Sequence, residues 1–63
     1  MPRLADIVPI AEEMIRQFGD QSYPAVAKRA IDNYRCGDRE AAAMWKLVAD
    51  TVKAIQSPRT TVH

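Results

Sequence analysis

"RCGDRE", residues 35–40, places a helix stop directly before a helix start, and its reading decides the fold. Glycine reaches positive φ without a steric penalty, so it suits the left-handed position that closes a helix. Aspartate accepts a hydrogen bond from a backbone N–H two or three residues further on, so it suits the position that opens one. Gly37 therefore ends one helix, and Asp38 caps the next through the N–H of Glu40 or Ala41. A connection of about two residues forces the flanking helices into direct contact.

Downstream of this turn, "AAAMWKLVADTVKAIQ" is rich in good helix formers. With 3.6 residues per turn, Ala41, Trp45, Val48, Val52 and Ile55 share one face, which is the expected core face. Arg39, Lys46, Asp50 and Lys53 form the opposite strip. Met44, Leu47, Thr51 and Ala54 widen the apolar arc past half the circumference, whereas a surface helix needs a stripe of only about 100°. Two explanations stay open. The helix packs on both other helices of its own chain, or it shows Met44, Leu47, Thr51 and Ala54 to a second copy or a partner.

Upstream, Tyr23, Val26, Ala27, Ala30, Ile31 and Tyr34 repeat at helical spacing, with Lys28, Arg29, Asp32, Asn33 and Arg35 away from them. Proline lacks an N–H and is tolerated only in a first turn. Pro24 therefore moves the expected cap of this helix from Asp20 to Ser22. Leu4, Ile7, Val8, Ala11, Met14, Ile15 and Phe18 make a further apolar stripe, and Pro9 places its cap at Asp6 by the same argument, with Leu4 just outside the helix. Glu12 and Arg16 are expected to pair on its wet side. A second Gly-Asp lies in "QFGDQSYP", residues 17–24. Gly19 suits a helix end there, but Asp20 has no assignable structural role, and the two units do not make a repeat.

These readings predict an all-α chain: a compact three-helix bundle with short loops and helices near 6–18, 22–36 and 38–56. Residues 1–56 form a single domain. Residues 57–63, "SPRTTVH", follow as a frayed tail, with Pro58 as the stop. A chain of 63 residues buries a small core and gains stability from association. Cys36 is the only cysteine, which excludes an intrachain disulfide and suits a reducing compartment. "MPRLADIVPIAEEM" has neither the apolar run nor the cleavage site of a signal peptide, and no apolar run approaches the roughly 20 residues of a membrane span. The expectation is a soluble, cytoplasmic chain with no membrane partner.

Chemistry is sparse. His63 is terminal and Cys36 stands alone, so no zinc-like spacing exists and neither a metal site nor a cofactor is expected. Cys36 lacks a nearby base and reads as a half-buried helix-end hydrophobe. Arg35 and Arg39 favour its thiolate, while a helix C-terminus opposes it. Adjacent Glu12 and Glu13 point about 100° apart and read as acids that suit the start of a helix dipole rather than as a catalytic pair. No catalytic residues are assigned and no enzyme is expected.

The net charge is +1, uneven along the chain. Residues 1–20 hold two basic groups against four acidic ones, and residues 21–63 hold seven against four. Two helices about a Gly-containing turn also outline a helix-turn-helix DNA reader, with Arg39, Lys46 and Lys53 as phosphate contacts. Against this, the start of the third helix offers Glu40 and alanines where a reader needs hydrogen-bonding side chains. Glu40 and Asp50 would also repel phosphate.

The residue order also carries a resemblance. An apolar helix closing in "FGD", then "AKRAIDNY", "CGD" and "AAAMWKLVADTVKAI" resembles the short all-helical uncharacterised proteins common in alphaproteobacteria. The resemblance spans roughly residues 5–56, and departs in the tail and at Cys36. It implies a helical architecture and a bacterial cytoplasmic origin, and it carries no functional residues. The expectation is a small non-enzymatic interaction protein that self-associates through its third helix, with a nucleic-acid-binding regulator as the alternative.

Overall fold

A computed structural model describes residues 3–57. The expected tail, apart from Ser57, lies outside the described residues, as does His63. The fold is all-α: helix α1 (Leu4–Phe18), a one-turn 3-10 helix (Gly19–Gln21), α2 (Ser22–Arg35) and α3 (Arg39–Gln56).

The expected bundle of three separate helices is corrected. No loop divides α1 from α2, because the 3-10 turn runs directly into Ser22. The two helices form a single bent arm, Leu4–Arg35, and α3 lies against both halves of it. The physical reason is at Gly19 (φ 55°, ψ −125°), a conformation open to glycine, where the chain changes direction without leaving helical hydrogen bonding. The Gly19 N–H still donates to the Ile15 carbonyl.

Both expected upstream caps are corrected too. α1 begins at Leu4, so Asp6 lies inside the first turn, where its charge suits the helix dipole. Pro9 falls inside the helix. Its ring leaves the Ala5 carbonyl without a donor, but Ala5 and Pro9 are both exposed, so water can satisfy that carbonyl. Ser22 is completely buried and does not cap α2. Its Oγ donates instead to Gln56 Oε1 (3.2 Å), and Gln56 Nε2 donates to the Gly19 carbonyl (3.0 Å). One amide at the end of α3 thus pins both sides of the bend.

The turn from α2 to α3 follows its sequence reading. The Gly37 N–H donates to the Tyr34 carbonyl and the Asp38 N–H to the Asn33 carbonyl, the paired bonds of a Schellman closure, with Gly37 at φ 85°. The Ala41 N–H then donates to Asp38 Oδ1 at 3.1 Å, capping α3. α3 ends at Gln56, and Ser57 after it is extended, the conformation favoured before proline.

The core joins Ile7, Ala11 and Met14 of α1, Val26 of α2, and Val48, Ala49 and Val52 of α3. Ile10, Ile15, Met44 and Trp45 pack around it. Trp45 is half-buried rather than enclosed, with the Arg29 guanidinium 5.2 Å from its ring centroid. The expected Glu12–Arg16 pair is replaced by Glu13. That carboxylate accepts from both Arg16 and Gln17, and the two donors hold its pKa below the ordinary value.

Candidate interaction surfaces

The apolar stripe of α2 is divided in two. Val26 is fully buried, whereas Tyr23, Ile31 and Tyr34 are 40%, 53% and 65% exposed. The division follows from the bend. α2 meets α3 through the side that carries Ser22 and Val26, and its apolar arc continues about a quarter-turn beyond that contact. That extra arc forms one wall of an open groove of about 810 Å³. Ala27 and Ala30 of α2 face Ala42 and Ala49 of α3 along its floor, with Tyr23, Ile31 and Tyr34 on one side. Arg35, Arg39 and Lys46 line it together with a single acid, Asp50. Sequence periodicity marked the α2 side of this groove as an apolar stripe, but not the alanines of α3 that face it.

α3 shows a second open face. Met44 and Thr51 are half-buried, Ala54 is exposed, and Leu47 is 39% exposed. Ile55, expected in the core, is 47% exposed and borders the same strip, and exposed Ala43 stands between the strip and the groove, which it also lines. The reason is that α1 and α2 together cover only the arc of α3 through Ala42, Val48, Ala49 and Val52. Between Ala43 and Ile55 the strip contains no charged side chain, and exposed Glu40, one turn before Met44, stands at its N-terminal end. The Thr51 hydroxyl donates to the Leu47 carbonyl (2.9 Å), so it presents no unsatisfied donor.

Arg39, Lys46 and Lys53 are all exposed and share one strip of α3, on the groove side, as their spacing requires. Asp50 stands among them. Cys36 is exposed at the turn, not half-buried. The tight closure by Gly37 leaves the preceding residue at the surface. Asp20 is exposed in the 3-10 turn, and no hydrogen bond gives its side chain a structural role there.

Among the described residues, no group of three or more His, Cys, Asp or Glu side chains is placed to hold a metal ion, and no helix is long and apolar enough to cross a membrane. No family model, curated protein or solved structure matches the chain.

Proposed function

We propose that this chain is a small non-enzymatic interaction protein that self-associates through the outer face of α3, with Met44, Leu47, Thr51 and Ala54 as the seam. The observation that carries this reading is the uncharged strip bordered by Ala43 and Ile55, open on an otherwise charged helix. Two copies meeting across a two-fold axis place the same residues against each other, so a strip without charge meets its copy without repulsion. From Ala43 to Ile55 the strip is about 18 Å long at 1.5 Å per residue. At a helix width of about 10 Å its outline is roughly 180 Å², well below the roughly 800 Å² per partner of a standard interface. The dimer is therefore weak and forms as concentration rises. Sedimentation equilibrium tests it: the mass climbs toward twice 7.1 kDa, and Leu47→Glu holds it at the monomer value. A monomer at millimolar concentration removes the reading.

A second reading rests on the exposed alignment of Arg39, Lys46 and Lys53: a nucleic-acid-binding regulator using these cations as phosphate contacts. Asp50 in the same strip counts against it. Random duplex DNA at about 50 mM salt, where the electrostatic attraction is strong, tests it by mobility shift. No shift there removes the reading.

A further inference from the structure

We propose that the groove between α2 and α3 is a docking site for an acidic amphipathic helix of a partner protein. The groove and the outer strip meet at Ala43, but Met44, Leu47 and Thr51 do not line the groove, so the proposal stands apart from self-association.

Shape selects a helix. The floor is Ala27, Ala30, Ala42 and Ala49, whose short side chains let another backbone approach closely. On α3 the lining runs from Arg39 to Asp50, about 17 Å or three turns. A site for a small molecule encloses most of its ligand. This one leaves Ile31 and Tyr34 more than half exposed, so it stays open along its length. An apolar helix face laid in such a groove engages it through side chains at i, i+3, i+4 and i+7.

Charge selects the partner. The cations Arg35, Arg39 and Lys46 border the groove against one carboxylate, Asp50. Groove-to-groove pairing of two copies would set these cations against their equals, which opposes that contact. The acidic helix of the chain itself, α1, cannot fill the groove. Its apolar residues Ile7, Ala11 and Met14 are already buried in the core. The surface is thus complementary to a helix with an apolar stripe flanked by Glu or Asp, supplied by another protein.

The test titrates the isotopically labelled full chain with a synthetic helical peptide of about four turns. It carries leucine at the four anchor positions and glutamate elsewhere; a second peptide carries lysine in place of glutamate. The glutamate peptide should shift the amide resonances of Ala27, Ala30, Ile31 and Lys46 saturably, and bind at least about tenfold more tightly than its lysine twin. The double variant Arg39→Glu, Lys46→Glu changes exposed residues only and should reverse that preference. Equal binding of the two peptides, shifts centred on Leu47 and Ala54, or no shift from either peptide would each overturn the proposal. So would tighter binding of short duplex DNA at the same salt, which would assign the cations to phosphate. Loss of self-association in Leu47→Glu leaves all these outcomes unchanged, so the two readings fail separately.

Discussion

Asp38 serves both helices of the tight turn, whereas Gly37 closes α2. The Asp38 N–H closes α2 and its carboxylate opens α3, so a side-chain substitution there disturbs the second helix end alone. Asp38→Ala keeps the backbone bond and removes the cap, which should cost about 1 kcal/mol. In a domain of this size that is a drop in Tm of about 4–8 °C. An unchanged melting temperature would refute the capping account. At Gly37 an added Cβ meets nothing within 4 Å, so the cost of Gly37→Ala is conformational, from φ 85°, at about 1–2 kcal/mol. Glu13 gives a pH dependence of stated sign. Its folded pKa lies below its ordinary 4.5, so the stabilisation is present above that pH and is lost as the pH falls through the folded value. Both partners are exposed, so Glu13→Gln should leave Tm at neutral pH nearly unchanged and flatten only the acid limb of a Tm–pH curve.

At the scale of elements, the decisive contact is the amide of Gln56 across the bend between α1 and α2. Gln56→Ala strands the fully buried Ser22 hydroxyl and should cost about 1–3 kcal/mol, more than Ser22→Ala, which removes the group that needs a partner. A double-mutant cycle should give a Ser22→Ala/Gln56→Ala loss smaller than the sum of the single losses, and strict additivity would refute the clasp. This contact marks where sequence reading stops. The Gly37–Asp38 turn was legible because its donors and acceptors lie within a few residues of each other. Ser22 was read as a cap because its own neighbourhood offers that partner, while its actual partner is 34 residues on. α2 failed differently. Periodicity identifies an apolar face, and it identified Tyr23, Ile31 and Tyr34 correctly. Whether another element covers that face depends on how the bent arm lies on α3, which no local pattern encodes. The same argument explains why Ile55 was assigned to the core, and why the outer seam of α3 was legible as surplus apolar arc with two uses left open, packing within the chain or association.

For the whole molecule, stability and association are linked. Among the described residues, the fully buried side chains number only a few: Ile7, Ala11, Val26, Val48 and Val52, with Ser22. Folded domains gain about 0.05–0.15 kcal/mol per residue, so 63 residues imply about 3–9 kcal/mol in total. Anything that binds only the folded state then changes the melting curve measurably, because it adds to a small number. A dimer formed through Leu47 and Ala54 does so in proportion to the logarithm of protein concentration once the dimer is populated. The Tm of the natural chain should therefore rise with concentration, while the Tm of Leu47→Glu should not. Leu47 is 39% exposed in the single chain, so the substitution removes little from the monomer's own core and the two melting curves should converge at low concentration. Parallel curves that never converge would mean that Leu47 acts within one chain. A Tm independent of concentration in both proteins would mean that the small core alone supports the fold, and that the uncharged strip of α3 has no second copy to meet.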